Sequence, residues 1–166
     1  CLAFEDIACA QEAFGRAAAT YASPTAKVEQ LLQGARAMRD ADGSAVALPL
    51  FEAALALAPG QWEVLEEATR ALGQNMRHQA VERSLARYVQ TSEDPDTALA
   101  RSLDHLHTQS WHSSSLRLVE LLEASPSPPP SLPLAAAQNL PPHPAHDAER
   151  QRLLHHYIAS LDDELE

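Results

Sequence analysis

The sequence predicts an all-α fold of antiparallel helical hairpins stacked as a repeat array, and three observations carry that reading. Pro24, Pro59, Pro95 and Pro126 punctuate the chain at intervals of 35, 36 and 31 residues. Each interval has room for two short helices and a turn, the plan of repeat units of roughly 34 residues. Between the prolines Ala, Leu, Glu, Gln and Arg dominate, while glycine occurs only 5 times and aromatics make up 5%, a composition that favours helix over strand. With 45% hydrophobic and 21% charged residues in 166, wholesale disorder is excluded and a real core is affordable.

The first unit, residues 1–24, is incomplete. A helix is expected from about Phe4 to Tyr21, with Ala10, Phe14 and Ala17 on one face before Ser23-Pro24 ends it. Positions four and three apart recur on the same side of a helix, and a small, large, small set lets two helices approach closely. It reads as the second helix of a hairpin whose first helix is missing. The face left open would favour a homodimer.

The second unit, residues 25–59, repeats that set as Ala47, Phe51 and Ala54, with Pro59 five residues later, after a first helix carrying Leu31, Ala35 and Met38. Here the chain resembles the tetratricopeptide repeat, whose second helix carries small, aromatic and small residues at these spacings before a closing proline. Gly34 and Gly43 lie near the family's small positions, offset by about one residue. Pro49 departs from the pattern: it falls shortly after the expected Ser44 cap, where it is tolerated near a first turn or kinks the helix.

The third unit, residues 60–94, offers Leu65, Ala68, Leu72 and Gly73 for its first helix and Ala80, Leu85 and Tyr88 for its second, with a short turn near Gly73 to Arg77. The fourth, residues 95–124, begins after Asp94, a candidate cap, and carries a Leu99, Leu103, Leu106 seam. Its second helix is expected from about Trp111 to Ala124, with Leu118, Leu121 and Leu122, and Ser113, Ser114 and Ser115 suit a capping first turn. The resemblance covers residues 5 to 124. An irregular bundle of helical hairpins is the alternative architecture.

From 125 to 146 prolines crowd the chain, at Pro126, Pro128, Pro129, Pro130, Pro133, Pro141, Pro142 and Pro144. The segment is expected to be an extended linker, with Leu132, Leu134 and Leu140 lying against apolar surface. Residues 147–166 should form a capping or docking helix. Leu153, Leu154, Tyr157, Ile158 and Leu161 mark its apolar stripe, and Asp147 and Glu149 stand at the end where the helix dipole favours them. The acidic residues after Leu161 sit at the unfavourable end, so the terminus should fray, or the helix continues in a longer chain.

The formal charge of −11 argues against nucleic acid, which needs a clustered basic face. It suits either a plain solvated surface or a basic partner. No run reaches the roughly 20 apolar residues of a membrane span, since Pro49 and Glu52 break the longest. Cys1 either carries a lipid, as at the start of a mature bacterial lipoprotein on a periplasmic face, or marks a fragment boundary. The short lead-in of Leu2, Ala3 and Phe4 favours the boundary and a cytoplasmic protein. Cys9 lies about 12 Å along a helix from Cys1, beyond disulfide reach.

No metal or other cofactor is expected. His105 and His107 point to different helix faces, as do His155 and His156, and no further ligands accompany His143 and His146. Exposed polar histidines account for them. No nucleophile elbow, phosphate loop or HExxH is present. The resemblance instead implies recognition by a groove of first helices, with contacts from Glu29, Arg36 and Arg39, then Glu63, Glu66, Arg70 and Gln74, then Arg101, Asp104 and His107. The arginines, each a fixed fork of donors, suit a carboxylate or carbonyl. An ordinary solvated face is the alternative. The expected function is therefore a non-enzymatic scaffold binding a protein or peptide segment. The alternative is an accessory region presenting substrate to an enzyme that resembles an O-GlcNAc transferase.

Overall fold

The computed structural model describes residues 4–111, 114–123, 129 and 131–163. Cys1, His112, Ser113, Ala124, three of the linker prolines (Pro126, Pro128 and Pro130) and the acidic residues from Glu164 onward lie outside them. Among the described residues the protein is all-α, with nine α-helices: α1 (Phe4–Thr20), α2 (Pro24–Asp42), α3 (Ser44–Leu57), α4 (Trp62–Gln74), α5 (His78–Thr91), α6 (Pro95–Gln109), α7 (Leu116–Glu123), α8 (Ser131–Asn139) and α9 (Asp147–Asp163). They form two compact units, Cys1–Arg77 and His78–Glu166.

In the first unit each helix packs on the next, and α3 touches α1, α2 and α4. The reason lies in its sequence: Ala47, Phe51 and Ala54 are fully buried, facing Leu31, Ala35 and Met38 of α2 and Leu65 and Ala68 of α4 in one core. Alanine at a crossing lets backbones approach, and the phenyl ring fills the space beside it. Gly34 does the same for α1. A Cβ there would stand 2.6 Å from the Phe14 ring. Pro49 lies inside α3 on its exposed side, and the helix runs through it to Leu57. Water can serve the carbonyl of exposed Ala45, which loses its helical donor. The turn before α3 uses Gly43 at φ 92°, so the residue preceding the helix is Gly43 and Ser44 is its first residue, a shift from the expected Ser44 cap.

The second unit is built by contacts of α5 with α6 and α7, of α6 and α7 with α8, and of α8 with α9. Its core joins Val81, Leu85, Leu99, Leu103, Leu106, Leu118, Leu132 and Ala136. Asp94 caps α6 as expected, accepting from the Thr97 amide at 3.1 Å.

Some expectations are corrected here. The Pro-rich segment is not an extended linker: among the described residues 131–139 are helical and Pro144 opens a 3₁₀ turn at Pro144–His146. Pro133 sits in the first turn of α8, where a backbone N–H would have no intrahelical partner and its absence costs little. Burial of Leu132, Ala136, Ala137 and Leu140 then holds the helix against the core.

The last helix of the 95–124 unit starts at Leu116 rather than near Trp111, and α6 ends in a left-handed residue, Ser110, at φ 57°. The Ser114 and Ser115 hydroxyls also reach beyond the local turn as tertiary anchors. Both are fully buried; the Ser114 hydroxyl donates to the His78 carbonyl at 3.3 Å and that of Ser115 to the Asn139 carbonyl at 2.8 Å. His105, expected to be exposed, is buried with its ring edge-on to Trp111 at 5.9 Å.

Two helix ends share one backbone device. After α4 the Met76 amide donates to Gly73 and the Arg77 amide to Leu72, and after α6 the Ser110 amide donates to His107 and the Trp111 amide to Leu106. This paired pattern places its turning residue in the left-handed region, where glycine is usual. Here Met76, at φ 60°, and Ser110 occupy it instead. Met76→Gly should raise the stability of the first unit by about 0.5–1 kcal/mol, read as the midpoint of urea denaturation. Gly34→Val should lower it by about 1–3 kcal/mol through overpacking. Adding Phe14→Ala should recover most of that loss, whereas an effect independent of Phe14 would place the strain elsewhere.

Candidate functional site

On α4 the residues Glu63, Glu66, Glu67, Arg70 and Gln74 recur at three- and four-residue spacing, and on α2 Glu29, Arg36 and Arg39 do so over three turns, so each helix carries one polar stripe. Their opposite sides hold the core: Val28, Leu31, Ala35 and Met38 on α2, and Val64, Leu65, Ala68 and Leu72 on α4. The hydrophobic pattern that folds the unit therefore also dictates where the charges stand.

Glu67 joins the two stripes. The Arg36 Nε donates to both carboxylate oxygens at 3.0 Å and its Nη2 to Oε2 at 2.7 Å, while Arg39 Nη1 donates to Oε1 at 3.1 Å. Burial alone would push the Glu67 carboxyl up, but hydrogen bonds and charge from Arg36 and Arg39 outweigh it and hold the carboxyl below its ordinary range. In return the hydrogen bond that Arg36 donates to Glu67 raises Arg36 against the cost of its own burial, and the Glu67 and Glu29 charges add to it. The Glu67 side chain is 18% exposed and that of Arg36 48%. The ion pairs form a partly shielded network with fork geometry, and such networks outperform isolated surface pairs.

Of the residues expected to bind a partner, the structure brings Arg36 and Arg39 together with Glu67, sets Glu29 within electrostatic reach of Arg36, and pairs Arg70 with Glu66 at 2.9 Å along α4. Glu63 and Gln74 are exposed near the two ends of the α4 stripe. Arg101, Asp104 and His107 are exposed on α6, in the second unit. The sequence reading passed over Glu67, the residue on which the network turns. Its signal was its place on the polar stripe of α4, between Glu66 and Arg70.

Among the described residues no group of three or more His, Cys, Asp or Glu side chains could hold a metal ion. No described helix is long and apolar enough to cross a membrane. No family model, curated protein or solved structure matches the chain.

A carboxyl whose proton affinity is depressed by folding contributes stability that is present above its unfolded range and lost as pH falls through its folded value. Glu67→Gln should therefore lower the stability of the first unit by about 1 kcal/mol at neutral pH. The gap to the parent protein should close as the pH is taken below the ordinary carboxylate range, in urea titrations followed by circular dichroism. A gap that stays constant down to pH 3 would show that the charge on Glu67 is irrelevant.

Proposed function

We propose that this chain is a non-enzymatic, tetratricopeptide-like helical scaffold whose α2 and α4 stripes dock a basic, extended segment of another protein. The observation that carries the reading is the Glu67 fork, which holds charged side chains of two helices in fixed relation on a solvent-facing surface. Side chains already ordered in the free protein lose less conformational freedom on binding.

The same fork favours a basic partner. Arg36 and Arg39 are engaged with Glu67, and Arg70 with Glu66. The arginines therefore answer to neighbouring carboxylates, while Glu63, and Glu29, which acts on Arg36 through its charge alone, remain as charge for a ligand. The chain's net charge of −11 adds long-range attraction for a cationic segment and speeds its encounter. Capture of a carboxylate by the arginines would require breaking the network first.

Glu29→Lys/Glu63→Lys changes only exposed positions and keeps every hydrogen-bonding group of the fork, losing only the Glu29 charge that acts on Arg36, whereas Glu52→Lys on α3 is a charge-matched control for a single site. Immobilised on beads, the parent chain and the control should retain a common protein from native extract that the double variant loses. Binding of that protein should slow hydrogen exchange in α2 and α4 and weaken as salt rises. Equal retention by all three chains would remove this face as the docking surface.

A further inference from the structure

The end of α8 leaves two carbonyls without donors, and the sequence dictates which two. In an α-helix each carbonyl accepts from the amide four residues on. Pro141 and Pro142 have no N–H, so the carbonyls of Ala137 and Gln138 lose those partners. Their neighbours are served. The Ala135 carbonyl accepts from the Asn139 side-chain amide at 2.9 Å, that of Ala136 from the Leu140 amide at 3.2 Å, and that of Asn139 from the Ser115 hydroxyl at 2.8 Å. Next in the chain, Nη2 of Arg150 donates to the Leu140 and Pro141 carbonyls at 3.2 and 2.9 Å. Among the described residues no donor reaches the carbonyl of Ala137 or Gln138.

Both residues line an open cleft of about 580 Å³ between the end of α8 and the first turns of α9, a size within the range of small-molecule sites. Leu140, Pro142, Pro144 and Leu154 give it apolar walls. Its polar side chains are arranged so that acceptors remain. Arg150 donates to Oδ1 of Asp147 at 2.7 Å, so these two charges cancel. The Asp147 side chain is 60% exposed, and among the described residues its Oδ2 accepts nothing. The His143 ring uses Nδ1 to accept from the Ala145 amide at 3.1 Å, the arrangement of an uncharged imidazole. Carbonyls at a helix end carry the negative pole of its dipole. The cleft therefore offers the Ala137 and Gln138 carbonyls and Asp147 Oδ2 as acceptors, beside apolar walls, with a slight excess of negative charge.

A primary ammonium has three N–H donors and no acceptor, and an apolar body attached to it suits the walls. A carboxylate or phosphate would meet those acceptors with only an arginine already engaged. We infer that the α8–α9 cleft binds a small apolar primary amine, its ammonium held by the Ala137 and Gln138 carbonyls and Asp147. The net charge of −11 favours the approach of such a cation. The site lies within the second unit and is independent of the α2–α4 docking face.

Tryptamine, titrated into isotope-labelled protein near neutral pH, should shift the backbone amide resonances of residues 137–154 saturably, with a dissociation constant of roughly 0.1–1 mM. Neutral N-acetyltryptamine and anionic indole-3-acetate should bind at least about tenfold more weakly. Asp147→Asn keeps an oxygen for Arg150 and should weaken tryptamine binding by about tenfold. Pro142→Ala supplies the amide that the Gln138 carbonyl lacks and should weaken it by about threefold or more, while dispersed spectra show both variants folded. No saturable shift by about 5 mM tryptamine, equal affinity for N-acetyltryptamine, undiminished binding by Asp147→Asn, or shifts confined to other segments would overturn the proposal. So would tighter binding of N-acetyl-lysine amide, which would assign the cleft to a side chain of another protein.

Discussion

Close approach of α3 to its neighbours is the constraint from which the first unit follows. Ala47 and Ala54 bring the α3 backbone close to α2 and α4, and Phe51 between them fills the space that two small residues leave. A larger residue at either alanine would push the helices apart and open a void around the ring. Because α3 holds α2 and α4 at this spacing, Glu67 comes within reach of both Arg36 and Arg39. The polar network is thus a consequence of the apolar packing beneath it, and its geometry inherits the rigidity of that core.

The second unit solves a different problem. Its helices α7 and α8 have only 8 and 9 residues, too short to be stable alone in water. They are tied by buried polar contacts as well as by leucine. Ser114 and Ser115 fasten the start of α7 to His78 and Asn139, and Asn139 in turn uses its side-chain amide on the Ala135 carbonyl. The Arg117 amide adds a bond to Glu82 at 2.9 Å. Such anchors are directional, so they choose one arrangement where apolar packing of short helices would tolerate several.

Much of the helical pattern was legible because it rests on local physics. The Ala10/Phe14/Ala17, Ala47/Phe51/Ala54 and Leu99/Leu103/Leu106 spacings sit on helices, and Asp94 caps the helix it precedes. Helix α9 occupies the expected place with Asp147 and Glu149 in its first turn. The Pro-rich stretch was misread because proline counts say nothing of position within a turn. Pro133 is harmless where it falls, and the apolar residues around it decide the outcome. Of the candidate site, the stripes of α2 and α4 were legible from helical spacing. The engagement of their arginines was not, since a salt bridge across 31 residues depends on which helices lie side by side.

The sequence by itself determined an all-α chain, the faces its helices bury and the acidic balance of its surface, since each follows from residue type and period along the chain. Only the tertiary structure decided that Glu67 claims Arg36 and Arg39 and that Ser114 and Ser115 face inward as anchors. Those outcomes depend on distances between segments far apart in sequence, and the packing of alanines, leucines and one phenylalanine sets those distances before any polar group finds its partner.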